Sequence, residues 1–464
     1  MGSEQIRLFG TDGIRGKAGE YPLDDVTIRI IGHSLAAHLA KELGHRPAVV
    51  IGRDTRESGA RIEQALAFGM ASAGADVESA GVITTPGVAY LARSMRFDAG
   101  AVISASHNPY QDNGIKVFTQ TGKKIPDAWE RRIEEDVPVM RRSVYSSYAK
   151  SPTAESDTGQ TSFVVKANPS YCERYVEYLV KEVAAGLDLH GVRMVIDVAN
   201  GAASRIAGRV FLALGAEVEI LHAQPDGQNI NEGCGSLHPE NLIEAVKRGR
   251  ADIGVAFDGD ADRALLVDQH GNLMDGDYEL MILADRLKSS GRLRNSLVVA
   301  TVMSNIGLEL ALAARGIEMV RTNVGDRYVL EGLLARNGSL GGEQSGHIIF
   351  TDISLAGDGI ITAIEILRAL KTSGRTLAEL GADLRKYPQV QINLGVSRKP
   401  ELEGLPGVKG EMDRINKELD GHGRLLVRYS GTENKARIMI EGEDQAHIES
   451  QANRLAEILK REIG

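Results

Sequence analysis

Three times along this chain an apolar, β-branched run is followed by a helical stretch and then by a glycine that opens a second apolar run. "AVVIGRDT" (48–55) is answered by "GADVESAGVI" (74–83), "RMVIDVAN" (193–200) by "GAEVEILHA" (215–223), and "LVVATVMS" (297–304) by "GIEMVRTNV" (316–324). Strands that alternate with helices imply parallel sheets covered on both faces. The recurrence therefore predicts an α/β protein with three similar α/β domains of mixed, mostly parallel sheets. With 464 residues, 42% of them hydrophobic, the chain has material for several cores.

The final part breaks the pattern. "VQINLGV" (390–396) leads to a helical stretch near 407–420, then to "RLLVRY" and "ARIMIEG" separated by "SGTENK", which reads as a hairpin around a polar loop. Ile448, Ala452, Leu455 and Leu459 fall on one face of a closing helix, the stripe of a helix packed on a sheet. This part reads as a C-terminal α+β domain. The Ser/Thr-rich stretch 143–162 reads as a linker, and the domains are expected at 1–158, 159–270, 271–381 and 382–464.

Composition excludes several classes. A formal net charge of -9 argues against a nucleic-acid binder, which shows a basic excess over a whole domain. Cys172 and Cys234 lack metal-ligand spacing and read as buried, inert thiols of a reducing compartment. No apolar run approaches membrane-helix length, and the charged start of the chain (Glu4, Arg7, Asp12, Arg15) predicts no leader. A cytoplasmic protein with no membrane partner is the expectation.

Five segments could carry chemistry. "FDGDADRALLVD" (257–268) sets Asp258, Asp260 and Asp262 at alternate positions, and three carboxylates so close require a cation, with oxygen ligands pointing to Mg²⁺ or Ca²⁺. An EF-hand is rejected, because its Gly and Glu positions hold Arg263 and Gln269. A phosphatase-type site with Asp258 phosphorylated and a merely solvated acidic turn stay open. "LVRYSGTENKARIMI" (426–440) gathers Arg428, Ser430, Gly431, Thr432, Asn434 and Arg437 about one loop, a set that suits phosphate oxygens or else an ordinary polar hairpin tip. "GGEQSGHIIF" (341–350) offers Glu343, Ser345 and His347 to sugar hydroxyls, although a lone His at such a place is often structural. "AVISASHNPYQDNGIKVF" (101–118) delivers Ser106, His107 and Lys116 from strand ends, and "FGTDGIRG" (9–16) is a turn-rich segment from which Arg15 can reach an anion.

Ser106 beside His107 invites a serine-hydrolase reading. No G-x-S-x-G elbow is present, and neighbours on an extended segment point to opposite sides, so His107 is a poor base for Ser106. A phosphoryl group on Ser106 fits better: its oxygen would complete the ion site of the three aspartates, and Lys116 would move the hydroxyl proton. A sugar-phosphate-binding protein without turnover is the rival from another class.

"SASHNP", "DGDADR", "GEQSGH" and "RYSGTEN", in this order and spanning almost the whole chain, resemble the α-D-phosphohexomutase family. The resemblance implies four domains round a central cleft and an isomerase that shifts phosphate within a sugar phosphate through a 1,6-bisphosphate. It implies that Ser106 is the phosphoserine and, with Asp258, Asp260 and Asp262, a ligand of one Mg²⁺ per chain. Arg15, His107 and Lys116 would lie at the phosphoryl group, with Lys116 the general acid or base. Arg263, Glu343, Ser345 and His347 would contact the substrate, and Arg428, Ser430, Gly431, Thr432 and Arg437 the phosphate that is not transferred. A sugar 1,6-bisphosphate is the implied activator and a homodimer the favoured assembly. Gln344, "FGTDGIRG" and "RTNVGDRYV" (321–329) are most similar to members that interconvert glucosamine 6-phosphate and glucosamine 1-phosphate; members acting on glucose or mannose phosphates are the alternative. Two departures are Ala261, where Gly is common, and Tyr429 with Asn434, where Pro is frequent.

Overall fold

The computed structural model describes residues 7–10, 12–150, 164–430 and 434–464. They form two compact units, residues 1–303 with 320–381, and residues 304–319 with 382–464. Among the described residues, no helix is long and apolar enough to cross a membrane.

Three sheets belong to the first unit. The first has strands β1 (Phe9–Gly10), β2 (Gly13–Lys17), β3 (Ala48–Arg53), β4 (Asp76–Val82), β5 (Ala99–Ile103) and β6 (Asp112–Thr119) in the order β1-β2-β6-β5-β3-β4. The second has β7 (Arg193–Asp197), β8 (Glu217–Leu221), β9 (Ile253–Phe257), β10 (Ala264–Asp268) and β11 (Leu273–Met274) in the order β11-β10-β9-β7-β8. The third has β12 (Leu297–Thr301), β13 (Glu318–Thr322), β14 (Leu340–Gly342) and β15 (Ile348–Phe350) in the order β13-β12-β14-β15. The three strand–helix–strand repeats read from the sequence thus seed three sheets. β3, β5 and β9 are apolar at nearly every position and buried on both faces, as strands between helix layers must be. Around the first sheet the helices Asp25–Leu43 and Gly59–Ser72 bury Ile28, Ile31, Leu35, Ile62, Leu66 and Met70 with Val49 and Ile51.

Two expectations need correction. The first sheet is not mostly parallel. β3 runs parallel to β4 and β5, but β5–β6, β6–β2 and β2–β1 are antiparallel. For β5–β6 and β2–β1 the physical reason is the short connection, which leaves no room for the crossover a parallel pair needs. The same reversal recurs at β9–β10 and β14–β15. Nor is the start of the 143–162 stretch a linker, because the helix Asp127–Lys150 runs on through it, and 151–163 lie outside the described residues.

In the second unit β16 (Gln389–Gly395), β17 (Arg424–Tyr429) and β18 (Lys435–Glu441) form an antiparallel sheet in the order β16-β18-β17. The helices Pro406–Leu419 and Gln445–Ile463 cover it. Ile448, Ala452, Leu455 and Leu459 are all buried, as the stripe predicted, against Ile438 and Ile440. The helix Ile306–Ala314 joins this unit through the buried Glu441, whose carboxylate accepts from the Ile306 N–H at 3.1 Å and from Arg424 Nε at 3.0 Å.

Candidate active site

Each α/β repeat of the first unit carries its motif at the same topological place, the reversal from an inner strand to an antiparallel neighbour. Ser104 to Gln111 join β5 to β6, Asp258 to Arg263 join β9 to β10, and Glu343 to His347 join β14 to β15. In the last of these, Gly346 has φ 85, and a Cβ there would lie 1.9 Å from the Ala264 carbonyl oxygen, so the third loop packs directly on the strand that leaves the second.

Ser106 is buried, and its Oγ donates to Asp258 Oδ2 at 2.6 Å. Its φ is 53, in the left-handed region, which corrects the extended geometry expected for this segment. With the backbone turned, His107 Nδ1 comes to 3.4 Å from Ser106 Oγ instead of pointing away. The same nitrogen lies 3.3 Å from Arg263 Nη1. Burial, then the charges of Arg263 and Arg15, push the His107 pKa down, so the ring is a neutral acceptor in a cationic surround.

Asp258, Asp260 and Asp262 are buried and bring oxygens within 4.8 Å of one another, which disposes of a solvated turn. Thr85 Oγ1 donates to Asp260 Oδ2 at 2.6 Å and the Thr85 N–H to the Asp260 carbonyl at 3.0 Å. On the far side the Gly359 N–H donates to the Ala261 carbonyl at 3.0 Å. Ala261 itself has φ 56, a left-handed conformation that costs an alanine more than a glycine. Asp260 Oδ1 and Asp262 Oδ1 are buried without a hydrogen-bond partner. Burial and its two neighbours raise the Asp258 pKa well above the carboxylate range. Orphaned, mutually repelling oxygens with no nitrogen or sulfur among them fit a hard divalent cation.

Lys116, also buried, places Nζ 3.0 Å from Asp260 Oδ2, 3.4 Å from Asp262 Oδ2 and 3.1 Å from Asp12 Oδ2. Burial alone would lower its pKa, but the carboxylates of Asp12, Asp260 and Asp262 outweigh it and hold the ammonium well above its ordinary value. Asp12 in turn meets Lys124 at 2.5 Å and Arg15, and Lys124 meets Asp326 at 2.7 Å. His347 closes the ring, with Nδ1 3.6 Å from Asp262 and Nε2 3.9 Å from Asp326. Its burial favours the neutral ring, yet Asp262, Asp326 and Glu343 raise its pKa above the usual histidine value.

Glu343 and Ser345 face each other at 3.4 Å, and Glu343 Oε1 accepts from the Gly325 N–H at 3.0 Å. Gln344 turns from this loop to Asp277 Oδ2 at 3.1 Å, so it braces the helix Gly276–Ser289. Arg15 reaches the end of the serine loop at Asn108 Oδ1, 3.4 Å away. Arg56, Thr85, Asn231, Asp12, Lys124 and Asp326 were not singled out from sequence; the only local signals were charges directly after an apolar strand, as in "VVIGRDTR" (49–56).

In the second unit, Arg428 on β17 and Arg437 on β18 are direct cross-strand partners. Like charges in register destabilise a sheet, and burial followed by the Arg437 charge lowers the Arg428 pKa. An anion relieves both. Ser430 is buried at the strand end, and Lys399, which the sequence did not single out, donates to its carbonyl at 2.8 Å. Gly431 and Thr432 lie outside the described residues.

A second metal-like cluster, Asp197, His222 and Cys234, is closed by its own hydrogen bonds. Asp197 accepts from the N–H groups of Ala199 and Gly235 and from His222 Nδ1, at 2.9 to 3.0 Å. Burial pushes the Cys234 thiol up to about 12 and raises the Cys172 thiol as well, but Cys172 is only partly buried, which corrects the expectation that both would be buried.

Three α/β sheets with chemistry on equivalent loops, followed by a sheet whose hairpin sets two arginines face to face, define a phosphohexomutase fold. Residues 6–140, 173–271 and 275–387 match the phosphoglucomutase/phosphomannomutase α/β/α domains I, II and III, and residues 392–458 match the C-terminal domain. The chain belongs to the phosphoglucomutase/phosphomannomutase family. It is 47% identical over 461 residues to a phosphoglucosamine mutase of Solibacter usitatus, covering 98% of this chain and 99% of that one. It is 48% identical over 461 residues to one of Koribacter versatilis, covering 99% and 97%. Among solved structures, a phosphoglucomutase/phosphomannomutase family protein of Burkholderia thailandensis has a TM-score of 0.78 at 26% identity, covering 98% and 97%. The N-acetylphosphoglucosamine mutase of Aspergillus fumigatus, solved with GlcNAc-6P and magnesium, shares the fold at a TM-score of 0.63 and 18% identity over 98% and 95%.

Proposed function

We propose that this chain interconverts glucosamine 6-phosphate and glucosamine 1-phosphate by passing a phosphoryl group through Ser106. The observation that carries the reading is Ser106 Oγ, 2.6 Å from Asp258 within three buried carboxylates that leave two oxygens without donors. Whole-chain likeness to phosphoglucosamine mutases supports the sugar.

Asp258, Asp260 and Asp262, with the phosphorylated serine, would hold one Mg²⁺, which when bound neutralises charge on the phosphoryl group in flight. The remaining work falls to the chain. On the outward transfer the Ser106 Oγ–P bond breaks, a sugar hydroxyl oxygen takes the phosphorus and releases its proton to Lys116, and the serine oxygen takes a proton in exchange. Lys116, held protonated by its carboxylate neighbours, supplies it; on the return transfer the flow reverses. Between them the 1,6-bisphosphate turns over in place. Arg15, Arg263 and neutral His107 orient the phosphoryl oxygens, Glu343 and Ser345 bind sugar hydroxyls, and His347 braces Asp262. Arg428, Ser430 and Arg437, with Gly431 and Thr432, are assigned the phosphate that is not transferred. Segments 1–158, 159–270, 271–381 and 382–464 divide this labour as domains, and the family resemblance supports a cytoplasmic homodimer.

The test is kcat/KM for glucosamine 1-phosphate, glucose 1-phosphate and mannose 1-phosphate side by side, with Mg²⁺ and a trace of the matching 1,6-bisphosphate. Preference for glucosamine is expected. Equal or better rates with glucose or mannose would reassign the substrate and leave the transfer chemistry standing.

A further inference from the structure

The serine loop is held from beneath by two side chains that never touch the reacting oxygen. Arg56 is wholly buried and uses all five of its N–H groups. Nε bonds Asp54 Oδ2 at 2.9 Å, Nη1 bonds the carbonyls of Asp112, at 3.1 Å, and Pro109, and Nη2 bonds those of Ser106 and Asn108 at 2.9 and 2.8 Å. Asn231, from the segment between β8 and β9, doubles two of these bonds, with Nδ2 2.9 Å from the Ser106 carbonyl and 3.1 Å from that of Asn108. Its own N–H is anchored on the Ala199 carbonyl at 2.9 Å. The metal loop closes on the same spot: a Cβ on Gly259 would lie 2.6 Å from the Ser106 carbonyl oxygen.

Ser106 needs this support. Its left-handed backbone is strained for a residue with a side chain, and such strain persists only where the surroundings over-determine it. Here the Ser106 N–H is tied to Ser104 Oγ at 2.9 Å while the carbonyl takes two donors from two different sheets' loops. We infer that Arg56 and Asn231 are positioning residues that aim the phosphoryl-carrying serine at the ion site and keep it aimed through both transfers. The inference rests on the phosphoserine reading above. A loosened loop costs rate, and it also admits water, whose oxygen attacks the phosphorus and breaks the Oγ–P bond to leave serine and inorganic phosphate.

The experiment charges the wild type, Asn231→Ala and Arg56→Lys with glucose 1,6-bisphosphate and follows Ser106 phosphate by intact mass, alongside kcat, KM and melting temperature. For Asn231→Ala a near-native melting temperature is expected, with kcat down about tenfold, KM within about twofold, and phosphoserine lost to water several-fold faster. Arg56→Lys, which cannot reproduce five bonds, should go further in the same direction. Unchanged kcat and phosphoserine lifetime in Asn231→Ala, kcat and KM moving together, or activity lost only in step with melting temperature would overturn the inference. A wild type that never takes phosphate at Ser106 would overturn the functional reading instead.

Discussion

A single hydroxyl, Ser106 Oγ, is the group on which turnover is expected to depend, and its surroundings show why neighbours cannot replace it. Asp258 is an acceptor at 2.6 Å, and Lys116 is engaged by three carboxylates. Ser106→Ala should therefore abolish mutase activity, at least 10³-fold in a coupled assay if nucleophilic transfer is lost outright, with an unchanged circular dichroism spectrum because only one oxygen is removed. Residual activity within tenfold of wild type would show that phosphate travels by another atom. The motif residues themselves were legible, because three alternating aspartates or a serine at a strand end carry their chemistry in the residue type. The conformation of Ser106 was not: a left-handed φ at a residue other than glycine leaves no mark in period or composition, and so the extended reading of His107 failed.

At the scale of elements, the β17–β18 hairpin keeps two arginines opposite each other. A pair of like charges in register costs a sheet roughly 0.2–1 kcal/mol, so function and stability should respond oppositely to its removal. Arg428→Gln is expected to raise KM for the sugar phosphate at least tenfold, about 1.4 kcal/mol of lost binding, while unfolding in urea shows equal or slightly greater stability. A lower KM would remove this hairpin from phosphate binding. The closing helix Gln445–Ile463 was readable by its stripe of Ile448, Ala452, Leu455 and Leu459 because that apolar period is local, and Leu455→Ala should cost about 2–5 kcal/mol by denaturant titration. The reversal that makes β5–β6 and β9–β10 antiparallel was missed; an apolar run fully buried on both faces looks the same in either direction.

For the molecule as a whole, charge burial governs the response to ions and to pH. A divalent cation that binds the native site but not the unfolded chain stabilises by about 2.7 kcal/mol at a hundred times its Kd. Mg²⁺ should accordingly raise Tm in a calorimetric scan of wild type, and should do so much less in Asp260→Asn. Equal shifts in both would place the ion elsewhere. Asp358 tests the opposite sign. It caps the helix Gly359–Ser373, accepts from Tyr175 Oη, and burial raises its pKa to about 6. The native state thus keeps a proton that the unfolded chain releases near pH 4, so this contribution to stability is present below that pH and is lost as pH rises through about 6. Asp358→Asn should gain stability relative to wild type between pH 4 and pH 7, read from paired urea titrations. A difference independent of pH would show that Asp358 titrates normally.

What the amino-acid sequence by itself determined were the features that live in short windows: three repeated strand–helix–strand units, a helix stripe, a hairpin, and four motifs whose residue types name ion, phosphate and proton chemistry. Only the tertiary structure decided which of those windows meet. Arg56 finds the Ser106 carbonyl across 50 positions, Asn231 finds it across 125, and Thr85 finds Asp260 across 175. These partners are chosen by which loops emerge at the same ends of neighbouring sheets. No local period encodes that choice, because it depends on strand order and on the packing of one sheet's loops against the next.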